Sequence, residues 1–319
     1  MGTMGFGHPE WLSWCLQEDE ASRLLYEGYL RGINTWDTAN TYSNGMAERI
    51  IGRTIQRFNI PRRKLVLMVS FEAGQIRLVA ESLESRRKLV ESNNVKGASR
   101  SSILSAVEGS LERLQTSYVD VLHLHRYDSS VAPEEIMQTL HQLVMGGKVR
   151  YLAASSMWAY QFAMLQAAAD KNGWTKFVAM QNHYNLLYRE EEREMNRYCR
   201  ETGIGLLPWS PLAEGALARP LEGNGYSARS LEPSRFGNEH SETDRVIISR
   251  VHAVAKRRGW TMSQVALAWL NKRVTAPIVG LHSVKRIEEA LMARGIELNA
   301  NDEAYLEEPY KPKCVQGHS

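Results

Sequence analysis

The sequence predicts an α/β fold, a (β/α)8 TIM barrel formed by residues 1–319 as a single domain. Three observations carry that expectation. Apolar runs of strand character alternate with helical patterns in roughly eight beats, which implies right-handed crossovers and a parallel sheet. No Gly-rich dinucleotide fingerprint follows the first strand, which disfavours an open doubly wound sheet. The polar residues Asp37, Ser70, His125, Ser155, Gln181 and Ser210 stand at or just beyond strand ends, on the carboxyl face where barrels hold their active sites.

The elements follow in order. "GINTWDTA" reads as a strand and "GMAERIIGRTIQRF" as the helix after it. "KLVLMVS" is the next strand, and "SSILSAVEGSLERLQ" spaces its apolar residues as a helix does. "YVDVLHLH" is a strand, and "PEEIMQTLHQLVMGGK" opens with a first-turn Pro and stops at Gly146 and Gly147. The alternation continues through "VRYLAASS", "MWAYQFAMLQAAADKNG", "FVAMQN", "EEREMNRYCRETG" and "IGLLPWSP". It closes with "DRVIISRVHAVAKRRG", "MSQVALAWLNKR", "APIVGLHS" and "KRIEEALMARG". Residues 71–99 and 212–243 break the rhythm, and loops of that length on a barrel's carboxyl face are expected to wall a substrate pocket.

Bulk composition narrows the function classes. With 319 residues, 43% of them hydrophobic, the chain can bury a large core. A formal charge of +3 leaves no nucleic-acid footprint, and "EEERE" near 190 reads as the solvated first turn of a helix. Cys15, Cys199 and Cys314 are widely spaced without a metal or redox motif, which points to a reducing compartment. No apolar run approaches about 18 residues and no signal-peptide pattern opens the chain, so a cytoplasmic protein without a membrane partner is expected.

At this point the motifs resemble a family. "GINTWDTANTYSNGMAERIIG" is similar to the signature of aldo-keto reductases, with Asp, Tyr, Glu and Gly at the expected intervals. "DVLHLHRYD", "GKVRYLAASSM", "MQNHYNLLYREEERE", "GLLPWSPLAEG" and "PIVGLHSVKRIEEA" extend the likeness over nearly the whole chain. It is nearest to fungal members of the aryl-alcohol dehydrogenase and norsolorinic-acid-reductase type, which suggests secondary metabolism. The resemblance implies a barrel, NADPH, and hydride transfer to an aldehyde or ketone. It makes Tyr42 the proton donor, His125 the residue that orients the carbonyl, and Asp37 the anchor of a lysine beside the phenol. Carbonyl reduction needs such an acid, and a neighbouring cation would lower a phenol's pKa from about 10.

The same resemblance assigns the cofactor. Ser155, Ser156 and Gln181 match positions that hydrogen-bond the nicotinamide carboxamide, and Trp209 matches the aromatic that stacks on the ring. Ser210, Leu212 and Gly215 would run along the pyrophosphate. Ser283, Lys285 and Arg286 match the pocket for the extra phosphate of NADPH, and Glu289 would face the adenine. Phe6, Trp11, Trp14 and Tyr184 are candidates for an apolar substrate wall. No metal site and no macromolecular partner are implied.

Two departures qualify the reading. Family members end the strand after "IPRRK" in Thr-Lys, whereas this chain has Val69 and Ser70. Lys64 begins that strand, six residues and roughly 20 Å away, so it cannot substitute. Arg77, Arg86, Arg87 and Lys88 would have to fold back from the long loop to do so. Without an ammonium the phenol keeps a higher pKa, Asp37 needs another donor such as Ser70, and the rate falls by about 10²-fold or more. At the front, "MGTMGFG" leaves the N-terminal hairpin and part of the first strand missing relative to the family. The expected function is therefore NADPH-dependent reduction of an aromatic or secondary-metabolite-like carbonyl. The alternatives are a non-redox isomerase or cyclase on the same barrel, or a catalytically weak NADPH-binding protein.

Overall fold

A computed structural model describes residues 1–71, 97–221 and 240–318. Most of the two long loops, with Arg77, Arg86, Arg87 and Lys88, lies outside the described residues. The chain divides into two compact units, Met1–Met180 with His318–Ser319 and Gln181–Gly317.

The first unit alternates helix and strand: α1 (Glu18–Leu30), β1 (Thr35–Ala39), α2 (Met46–Arg57), β2 (Val66–Phe71), α3 (Arg100–Leu114), β3 (Val119–Leu124), α4 (Pro133–Met145), β4 (Val149–Ser155), α5 (Ala159–Asn172) and β5 (Phe177–Gln181), whose last residue opens the second unit. The strands lie side by side in chain order, and β1–β2, β2–β3 and β3–β4 pair in parallel. Parallel strands require crossover connections, and the α-helices supply them.

Register sorts the side chains by face, because paired residues in a parallel ladder point the same way. One face holds Asp37, Met68, Val121 and Tyr151 in one row, then Ala39, Ser70, His123 and Ala153 in the next. The other face carries Trp36, Leu67, Val69, Leu122, Leu152 and Ala154, all buried. The departure at Val69 and Ser70 leaves the strand intact, since both residues keep their ladder partners and are buried.

The first residues add to this sheet. The Asp37 N–H donates to the Met1 carbonyl at 2.8 Å and the Thr3 N–H to the Asp37 carbonyl at 2.9 Å, so Gly2 bridges Asp37 in parallel. The first residues thus form an isolated bridge on the edge of β1. Gly7 then passes so close to Ser43 that a Cβ would lie 2.2 Å from the Ser43 Cβ. The signature Glu48 is fully buried on α2 and accepts from Arg113 Nε at 2.6 Å, so it locks α2 to α3.

The second unit contains α6 (Met195–Glu201), the short β6 (Gly205–Leu206), α7 (Glu242–Arg258), α8 (Met262–Asn271), α9 (Val284–Met292) and α10 (Ala300–Glu307). Its core gathers Leu187, Leu217, Ile247, Val251, Val265, Trp269 and Leu306. Ser241, Thr261, Ser283 and Asn299 cap the helices that follow them by accepting from the third helical N–H. "APIVGLHS" is not a regular strand. It follows the chain after β6 through single bonds, Ala276 N–H to Leu206 O and Ile278 N–H to Pro208 O.

The acidic run near 190 corrects the expectation of a solvated turn, because Glu190 and Glu191 are buried. Glu190 accepts from the Tyr310 hydroxyl at 2.7 Å, from the Lys313 N–H at 2.8 Å and from Arg193 at 2.6 Å. Distant donors therefore replace the water that the charge would otherwise need. Tyr184 is corrected in the same way. It packs in the core against Trp269, with ring centroids 5.4 Å apart, and donates to Glu192. It is not a pocket wall.

Candidate active site

In the first unit the expected catalytic residues stand on or just beyond β1 and β3, which β2 separates. Asp37 is buried at mid-strand on β1, and Tyr42, half-buried, opens the turn Tyr42–Gly45 just beyond it. Ser43, Asn44 and Gly45 all have positive φ, so the chain reverses tightly behind the phenol into α2. The Trp11 ring lies 6.2 Å from the Tyr42 ring at a 48° tilt, and the His8 N–H donates to Ser43 Oγ at 2.8 Å. The segment around Trp11 thus packs on the phenol's own turn, as a pocket wall would. Phe6 is instead fully buried and bridged to Leu16, which makes it a core residue.

His125 follows β3, and its N–H donates to the Phe71 carbonyl at 3.2 Å, which extends the ladder by one step. The register then sets it beside Ser155, at the end of β4. Arg126 joins the two strands there, donating to the His125 carbonyl at 2.5 Å and to Ser155 Oγ at 3.4 Å. Ser155 and Ser156 are both buried with hydroxyls 3.3 Å apart, and Ser156 takes a positive φ. Ser70 lies one strand from His123 on the same face. His123 is fully buried, neither of its ring nitrogens has a hydrogen-bond partner among the described residues, and burial pushes its pKa down to about 3. It is therefore neutral, and it supplies no positive charge in place of an ammonium.

The second unit carries the remaining residues expected to hold the cofactor, beyond Ser155 and Ser156. Gln181 is buried at the end of β5, and the Trp209 N–H donates to the Asn182 carbonyl at 2.9 Å. His183 stacks on Trp209, with centroids 4.2 Å apart and planes 11° from parallel. Beyond Trp209 the backbone enters a left-handed stretch in which Ser210, Ala213, Glu214 and Gly215 all have positive φ. Ser210 Oγ accepts from the Glu214 N–H at 3.3 Å, and Leu212 leads into the short helix Ala213–Ala218. Ser283 caps α9 by accepting from the Arg286 N–H at 3.3 Å, so Ser283, Lys285 and Arg286 gather at one helix start and all three are exposed. Glu289 sits one turn further on.

Sequence reasoning missed several residues here. Arg219 donates to the Gly215 carbonyl at 3.4 Å, and its pKa is lowered first by burial and then by the charge of Arg286. Two cations held close together at a loop and a helix start are the complement of a phosphate-bearing ligand. Asn185 bonds the Ser210 carbonyl at 2.9 Å and His183 Nε2 at 3.2 Å, while its oxygen accepts from the Leu187 and Tyr188 N–H groups. The signal for Asn185 was its place in "QNHYN", but its Ser210 partner lies in a different stretch of the chain.

Comparison with known proteins completes the assignment. The fold agrees with a thermostable aldo-keto reductase, Tm1743, solved with the inhibitor epalrestat. The TM-score is 0.72 at 24% identity over 97% of this chain and 94% of that one. That likeness gives the fold as α/β of the barrel type, and the family match and named reductase relatives make the chain an oxidoreductase. The chain belongs to the Aldo/keto reductase family, whose sequence pattern matches residues 1–311. Among its relatives are aldo-keto reductase AMT2 of Alternaria alternata, 51% identical over all of this chain and 89% of that protein, and versiconal hemiacetal acetate reductase of Aspergillus parasiticus, 43% identical over 99% and 94%. A putative aryl-alcohol dehydrogenase of Schizosaccharomyces pombe is 43% identical over 98% of this chain and 99% of its own. Enzymes of this family use a nicotinamide cofactor and act on small carbonyl compounds. Among the described residues no helix is long and apolar enough to cross a membrane.

Proposed function

We propose that the chain is an NADPH-dependent reductase of an aromatic or secondary-metabolite-like aldehyde or ketone, with Tyr42 as the proton donor. The observation that carries the reading is the arrangement of Tyr42, His125 and Ser155 at the carboxyl ends of β1, β3 and β4, strands of one ordered sheet. Barrels perform their chemistry at that end. The versiconal and aryl-alcohol relatives favour an aromatic or polyketide-like substrate. Arg219 and Arg286, with Ser283 and Lys285, suit the additional phosphate that distinguishes NADPH from NADH.

When bound, the nicotinamide supplies the hydride. The protein's share is the proton and the orientation. The Tyr42 hydroxyl donates its proton to the carbonyl oxygen as negative charge develops there. His125 orients that oxygen, and the buried Trp11 ring packs against the Tyr42 ring and steadies it. Ser155 and Ser156 of the first unit, and Gln181 and Trp209 of the second with His183 stacked behind Trp209, are the residues that would hold the nicotinamide. Neither Ser70 nor the neutral His123 supplies the positive charge that the family's lysine would bring to the phenol. Electron-poor carbonyls, which need less protonic assistance, are therefore the favoured substrates. The buried Cys15 and Cys199 are both unpaired thiols, in keeping with action in the cytoplasm.

The test is isotopic. The enzyme is given NADPH deuterated at the transferable position with an electron-poor aromatic aldehyde, and the alcohol is analysed by mass. Deuterium at the carbinol carbon, and a loss of about 10²-fold or more for Tyr42→Phe, are expected. Tight NADPH binding with no label transfer to any carbonyl would mark a cofactor-binding protein instead.

A further inference from the structure

The ring that backs Trp209 is itself held from the far side. His183 stacks on Tyr188 with centroids 4.3 Å apart and planes 10° from parallel, so Trp209, His183 and Tyr188 form one column. The column ends in a hydrogen bond, because the Tyr188 hydroxyl accepts from the Gln316 N–H at 2.8 Å. The segment that carries Gln316 is fastened to the same turn at three further points. The Arg189 N–H donates to the Tyr310 hydroxyl at 2.8 Å, and that hydroxyl donates to Glu190 at 2.7 Å. The Lys313 N–H donates to the same Glu190 oxygen at 2.8 Å, and the Lys313 ammonium pairs with Asp244 at the start of α7.

We propose that residues 310–316 act as a latch on the cofactor site, with Tyr188 and His183 as positioning residues that pass its grip to Trp209. The proposal rests on the reading that Trp209 stacks on the nicotinamide. Three physical features favour transmission over plain packing. Stacked rings resist sideways slip, since offset parallel contact is a preferred geometry and is lost when one ring turns. His183 cannot rotate freely, because its Nε2 meets the Asn185 amide, and Asn185 also grips the Ser210 carbonyl next to Trp209. Burial, with Lys313 adding to it, pushes the His183 pKa down to about 3, so the middle ring stays uncharged and sets no cation against an oxidised nicotinamide. The column is thus a neutral spacer between a chain segment held by five contacts and the surface proposed to fix the cofactor's ring.

The experiment uses the full chain labelled with 5-fluorotryptophan, with the Trp209 resonance identified by its loss in Trp209→Phe. Tyr188→Phe keeps the ring and removes the acceptor, and Gln316→Pro removes the donor. Each is expected to shift or broaden the Trp209 line and to weaken NADPH binding about threefold to tenfold. His183→Ala should weaken binding about tenfold, while His183→Phe, which keeps a ring in the gap, should stay within about threefold of the unmodified protein. A Trp209 line and an NADPH Kd unchanged in both Tyr188→Phe and Gln316→Pro would overturn the latch. His183→Phe failing as badly as His183→Ala would overturn the stacking column. If the unmodified protein binds no NADPH, the reductase reading falls, and the fluorine line still decides whether the segment controls Trp209.

Discussion

His123 in the first unit and His183 in the second are both buried, and burial pushes both pKa values down to about 3. Their surroundings are opposite. His183 is clamped between two rings with Asn185 on its Nε2, whereas neither nitrogen of His123 has a partner among the described residues. An unbonded polar atom in the interior costs about 1–3 kcal/mol, so His123 is a local liability where His183 is a brace. The contrast follows the chemistry of the two units. On the proposed reading, the second unit holds one rigid stacked surface for the cofactor, and the first keeps polar groups beside Ser70, where the family resemblance expects lysine.

Variants of the buried groups separate the two units, and the largest effect is expected at Glu48 and Arg113. Arg113→Ala leaves the Glu48 carboxylate buried without its cation, and should lower stability by about 3 kcal/mol in a denaturant titration. A loss below about 1 kcal/mol would mean that water replaces the guanidinium there. The histidines come next. Their folded pKa values lie below the unfolded value of about 6.5, so as the pH falls the unfolded chain takes up protons first. The stability they contribute is whole above pH 6.5 and is lost as the pH falls toward about 3, with a slope of up to about 1.4 kcal/mol per pH unit for each. His123→Leu should remove one such slope at little cost at pH 7, and His183→Leu should remove the other but cost about 1–2 kcal/mol through the lost Asn185 bond and stack. Equal costs at pH 7 would erase the distinction between brace and liability.

A smaller effect concerns the phosphate contacts. Arg286→Ala should raise the NADPH KM about tenfold with kcat nearly unchanged, the mark of lost uniform binding, and should leave the NADH KM almost as it was. An equal change for both cofactors would place Arg286 elsewhere than on the extra phosphate. Smallest of all is Lys148→Ala, whose exposed pair with Glu108 at 3.1 Å should be worth under about 0.5 kcal/mol by thermal unfolding.

Much of the first unit was legible in the sequence because its signals are local. The helix of "GMAERIIGRTIQRF" and the strand of "YVDVLHLH" emerge where period and alternation put them, as α2 and β3. Glu18–Leu30 escaped because three leading acids and scattered polar residues blur the stripe of Ala21, Leu24, Leu25 and Gly28. "APIVGLHS" looked like a strand for its apolar run, yet it meets the chain after β6 through single bonds in place of a ladder. Of the proposed site, Asp37, Tyr42 and His125 were assigned by motif. The buried acids Glu190 and Glu191 and the column of His183 and Tyr188 were not, since Tyr310, Lys313 and Gln316 reach them from more than 100 residues away. No local pattern encodes such partners.

The central claim is that this chain reduces carbonyls although Ser70 stands where the family has lysine. The most direct measurement is NADPH oxidation with an activated aromatic aldehyde, for the unmodified protein and Ser70→Lys side by side. The account predicts turnover by the unmodified protein above the aldehyde-free background, with Ser70→Lys faster by up to about 10²-fold. Oxidation by Ser70→Lys alone, with the unmodified protein silent, would contradict it.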